Sequence, residues 1–73
     1  MKSQDTLFGI AEQYIEIIEA MERTADKEDL ARLEEERALW HGRLMDKLKK
    51  EGIKFKDREH VTAIAFRIVR QEL

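Results

Sequence analysis

Few residues of this chain could do chemistry, and Arg37 stands out among them by its place. Leu7, Ala11, Tyr14, Ile18 and Met21 step along one segment by four, three, four and three residues. Leu30, Leu33, Arg37, Trp40 and Leu44 step along the next by three, four, three and four. Reflected about the polar stretch from Thr24 to Lys27, the two series pair rung by rung, and the Tyr14/Arg37 rung is the one that carries a charge. The Arg37 guanidinium can stack on the Tyr14 ring, with Glu22 and Glu34 as counter-charges. It can also snorkel to solvent on its stem, or be reserved for an external anion. Trp40 opposite Ala11 reads as large against small in a packed seam, or as an anchor for a partner. His41, one step further round, reads as a boundary residue beside that seam.

Catalysis finds little to work with. His41 and His60 fall on different segments, and Ser3 lies too near the terminus to be a nucleophile with an oriented base. Asp57 in the run Asp57-Arg58-Glu59-His60 is better used as a helix cap. Three glycines make no phosphate-binding loop, and Glu34-Glu35-Glu36 spreads around a helix instead of converging on a metal. The expectation is a protein that is not an enzyme, with no cofactor and no metal. Nucleic acid is the alternative: His60, Arg67, Arg70 and Gln71 share a polar face with Ala63 among them, supported by Lys54, Lys56 and Arg58. The stretch from Gly52 to Asp57 is too long for the turn of a helix-turn-helix.

Three helices must position these groups. The first is expected from about Thr6 to Arg23 with Asp5 as N-cap, the second from Lys27 to about Lys50 behind Asp26, and the third from about Arg58 to Glu72 behind Asp57. Glu28 and Asp29 suit the positive start of the second helix, and Lys47, Lys49 and Lys50 its negative end. Gly52 fits the left-handed position after the last turn, with Ile53 folding back on it. The alternation Gly52-Ile53-Lys54-Phe55-Lys56 predicts an extended connector. Val61, Ile64, Ala65, Ile68 and Val69 form the buried face of the third helix.

The first helix is apolar over half its circumference, with Ile10 and Ile17 on one side of its stripe and Phe8 and Ile15 on the other. One neighbour cannot cover that. Met45 and Leu48 overhang the far end of the hairpin, where the third helix, Ile53 and Phe55 are the expected cover. The fold expected is therefore all-α, a single domain over residues 1–73: an antiparallel hairpin with a shorter third helix over its open end, resembling a three-helix bundle and homodimeric through the surplus flank of the first helix.

Composition agrees. Ordering each residue costs about 1.5 kcal/mol, which a core this small offsets only narrowly. Disulfides are excluded because cysteine is absent. No apolar run spans a membrane, and the expected location is cytoplasmic. The net charge of −2 hides a division: residues 1–36 hold eleven acids against four bases, and residues 37–73 ten bases against five acids. Opposite charges are expected to meet within the fold or across a dimer.

The segment from Thr6 to Glu19, with Leu7, Phe8, Tyr14 and Ile18 in the matching places, resembles the opening of a family of siphovirus coiled-coil proteins. That family continues as a long coiled coil, whereas this chain turns at Gly52. The resemblance implies a phage or mobile-element origin, hence the host cytoplasm, and a role as inhibitor or adaptor of a host protein. A protein-binding module is thus expected, with Phe8, Glu12, Ile15, Glu16, Leu39, Trp40 and Phe66 as candidate contacts. The alternatives are a nucleic-acid-binding regulator and a structural assembly subunit.

Overall fold

Each helix begins on a side chain that satisfies backbone N–H groups left free at its first turn. The computed structural model describes residues 6–70. Helix α1 spans Leu7–Arg23 and is capped by Thr6, whose Oγ1 accepts from the Gly9 N–H at 3.0 Å. Thr6 thus takes the place expected of Asp5, which lies outside the described residues; a β-region Ncap hydroxyl three residues before the donor makes the same bond as a carboxylate. Thr24 closes α1 by donating its hydroxyl to Ala20 O at 2.7 Å. Two residues later the Asp26 carboxylate accepts from Glu28 N at 2.8 Å and starts α2, Lys27–Lys50.

Helix α2 ends in a Schellman motif. Gly52 takes a φ of 78°, the Ile53 N–H donates to Leu48 O at 2.9 Å, and the Gly52 N–H donates to Lys49 O at 3.1 Å. The connector then runs without regular structure to Asp57, with Ile53 and Phe55 half-buried against the core and Lys54 and Lys56 exposed. Asp57 Oδ1 accepts from His60 N at 2.8 Å and caps α3, Arg58–Arg70. The last residues of the expected third helix lie outside the described ones. The described residues are all-α, with no strand among them.

α1 and α2 form the hairpin, and α3 packs mainly on α1, touching α2 little. The shorter third helix thus lies along the α1 side of the hairpin and, as expected, shares a core with Leu48 at the overhang. A six-residue extended connector reaches about 20 Å, enough to carry the chain back along the hairpin. α3 therefore starts beside Ile18 and Met21, passes Tyr14 at Thr62, and runs antiparallel to α1. Its Val61, Ile64, Ala65 and Ile68 join Ile10, Ala11, Tyr14, Ile15, Leu44 and Leu48 in one core.

The surplus flank of α1, apart from the exposed Phe8, is consequently buried within the chain. Ile15 is 5% exposed and joins the core shared with α3, while Ile17 is 3% exposed beside Leu33 of α2. Ile15 was a candidate partner contact; the returning α3 takes that role. Leu48, at the overhang, is fully buried.

Candidate functional site

Where α3 begins, the three helices leave a cleft of about 450 Å³. α1 contributes Tyr14, Ile18, Met21 and Glu22, α2 contributes Arg37, and α3 contributes Arg58, Glu59 and Thr62. Ile18 and Met21 are half-buried and give the cleft an apolar floor; Arg58 and Glu59 are exposed at its edge. Tyr14 is 1% exposed and its hydroxyl lies 2.9 Å from Thr62 Oγ1. Thr62 donates its single proton to Arg58 O at 3.3 Å, so Tyr14 is the donor in its own bond. That chain of hydroxyls ties the first turn of α3 to the centre of α1.

Arg37 shares the cleft with Tyr14, as the mirrored spacing predicts, but does not stack on its ring. The Tyr14 ring instead faces His41, with centroids 5.7 Å apart and planes inclined by 55°. Among the described residues the guanidiniums that cover aromatic rings belong to Arg43, 4.6 Å from the Trp40 centroid, and Arg70, 5.5 Å from that of Phe66. Neither Glu22 nor Glu34 pairs with Arg37. Ion pairs within 4 Å among the described residues are local ones, Arg32–Asp29 at 3.0 Å and Lys47–Glu51 at 3.7 Å. Among the described residues, therefore, the acidic and basic halves do not neutralise each other by contact.

His41 is the group the sequence reading placed least well. It is 9% exposed, and its Nε2 is sealed from solvent without a hydrogen-bond partner. Burial holds its imidazole below the ordinary histidine range, and the charges of Arg58 and Arg37 push the same way; the Arg58 backbone acts in the opposite direction. Protonation is therefore resisted in the folded state and proceeds freely in the unfolded chain near the ordinary value of 6.5. Between those two values the unfolded state binds more protons, so stability rises with pH. Full stability is expected above about pH 6.5, with loss as the pH falls below it. Urea titrations at pH 7.5 and 5.5 measure the difference, and His41→Leu is expected to shrink it. An equal slope in that variant would mean that His41 is not the group responsible.

The remaining candidates are dispersed. Phe8 is 39% and Leu39 55% exposed, on α1 and on the outer face of α2. Glu12 and Glu16 are exposed, while Trp40 and Phe66 are half-buried against the core. Of the polar face of α3, Arg67 and Arg70 are exposed, and Gln71 lies outside the described residues. His60 is half-buried, and its Nδ1 accepts from Lys56 N at 2.9 Å, which makes it part of the start of α3. Thr62, Arg58 and Glu59 enter the cleft only because the connector brings α3 back, a tertiary event that no local spacing announces. No helix among the described residues is long and apolar enough to cross a membrane. No group of three or more acidic or histidine side chains among them could hold a metal ion. No protein-family model, no curated protein and no solved structure matches this chain.

Proposed function

We propose that this chain is a small, non-enzymatic protein-binding module that works as a homodimer and acts as an inhibitor or adaptor on a host protein. The cleft at the start of α3 carries this reading. It offers a partner's apolar side chain the floor formed by Ile18 and Met21, and two guanidiniums, Arg37 and Arg58, that have no ion-pair partner within 4 Å among the described residues. Small apolar pockets rimmed by arginine are where a few side chains supply most of the binding energy in protein interfaces. The phage attribution, and with it the host cytoplasm as the place of action, rests on the resemblance of residues 6–19.

Affinity capture from the source host, with wild-type protein beside Met21→Arg and Arg37→Glu, tests the proposal. Both substitutions fall on half-buried positions at the cleft. Each is expected to weaken capture by about tenfold or more, the effect of losing one interface anchor, with helix content unchanged. Capture that survives both would place the site elsewhere. A chain that retains only nucleic acid, lost on replacing Arg67 and Arg70, would select the alternative.

A further inference from the structure

The outward face of α2 carries a charge pattern that is complementary to itself when reversed. Leu39, at the middle of the helix, is the most exposed large apolar side chain among the described residues. Four residues to either side stand Glu35 and Arg43, seven to either side Arg32 and Asp46, and eleven to either side Glu28 and Lys50. Each of these pairs joins opposite charges. At 100° per residue, all seven positions fall within an arc of roughly 80°, and all are exposed.

Helix polarity alone does not produce this pattern. The macrodipole favours acid early and base late, which accounts for Glu28 and Lys50. Arg32 and Asp46 run against that order, yet they too occupy matching places with opposite signs. Ala38 is exposed and Gly42 has open space where a Cβ would stand, so the backbone beside Leu39 can be approached closely. The Arg43 guanidinium is already held over Trp40, which reduces the freedom it would lose on pairing.

We infer that the occupant of this face is a second copy of the chain, packed α2 against α2 in antiparallel register about a two-fold axis at Leu39. This rests on the reading that the chain is a homodimer and names its interface. In that register Leu39 meets its own counterpart. Glu35 faces the second copy's arginine 43, Arg32 its aspartate 46, and Glu28 its lysine 50, with every pair formed twice by symmetry. The acidic turn end of one copy then lies along the basic open end of the other, where the charge division of the sequence finds its partner. Solvent-exposed pairs of this kind are individually weak and screened by salt, so the dimer is expected to form at low ionic strength and to loosen as salt is added.

Sedimentation equilibrium in low salt tests the register, with circular dichroism as the check on folding. Glu35→Arg and Arg43→Glu each set like charges opposite one another and are expected to weaken dimerisation by about tenfold. The double variant restores every pair with its signs exchanged and is expected to recover the wild-type dimer. Arg32→Glu with Asp46→Arg repeats the test without disturbing Trp40. Leu39→Cys, in a chain with no other cysteine, is expected to form a disulfide-linked dimer under mild oxidation, faster than Ala25→Cys at the turn. A dimer that ignores the single reversals, or that the double swaps fail to restore in a folded chain, overturns this register and leaves the homodimer reading standing. A wild-type monomer at every concentration in low salt overturns both.

Discussion

Replacing Leu44 with alanine is expected to destabilise the fold by about 2–5 kcal/mol, the range for removing a buried leucine side chain when the surroundings close only partly. Leu44 is fully buried and belongs to the one cluster that joins all three helices. A chain of this size has a total stability of roughly 4–11 kcal/mol, so the substitution consumes a large share of it. The melting temperature should fall by at least about 10 °C. With the chain held monomeric by added salt, Leu39→Ala is the control: the same chemical change at a position 55% exposed should cost less than about 0.5 kcal/mol. Thermal and urea unfolding of the two variants measure the contrast. Equal losses would mean that the two faces of α2 are not distinguished by burial.

The contrast between those leucines also shows what local sequence can and cannot reveal. Asp26, Gly52 and Asp57 mark the ends of α2 and the start of α3, because caps depend on hydrogen bonds reaching no further than a few residues. The mirrored seam holds along the first half of α2 and then drifts. Past Arg37 the buried positions are His41, Leu44 and Leu48, where strict alternation of three and four from Leu30 places Trp40 and Leu44. A straight helix at 3.6 residues per turn slips by about 20° per heptad against a 3.5 repeat, which brings His41 inward. Once inside, the imidazole is flanked by Tyr14 and by the arginines of two different helices, an environment no single helix encodes. The cleft is invisible in sequence for the same reason. Its α3 wall depends on the reach of an irregular connector, whose alternation of apolar and basic residues gives its shape but not its direction.

Both the cleft and the α2 face follow from where the chain spends its apolar residues. α1 is enclosed by α2 on one side and α3 on the other, which buries most of its apolar surface and leaves Phe8 exposed. α2, touched by α1 and hardly by α3, keeps a full outward face, and the self-complementary charges lie there. The two surfaces are separate. The cleft opens among all three helices, whereas the charge ladder lies on one, so a dimer joined through Leu39 leaves both clefts free for a partner.

Tyr14→Ala is expected to be the most damaging substitution at the site, and Tyr14→Phe shows why. Tyr14 is 1% exposed at the point where α1 meets both other helices, and losing a buried aromatic ring costs about 3–5 kcal/mol. Phenylalanine keeps the ring and its contact with His41 while removing only the hydroxyl that donates to Thr62. A net cost of about 1 kcal/mol is expected for that bond. The difference between the variants measures ring packing, and the smaller loss measures the tie between α1 and the start of α3. Thr62→Val should give a loss similar to Tyr14→Phe, and the double variant should cost less than the sum, because both singles break the same hydrogen bond. Additive losses in urea unfolding would mean that the hydroxyls act independently. With the tie released, hydrogen exchange should accelerate first at amides in the opening turn of α3, ahead of those in α2. The cleft would then lose its Arg58 wall before the hairpin itself opens, so partner binding should weaken in Tyr14→Phe by more than its small cost in global stability implies.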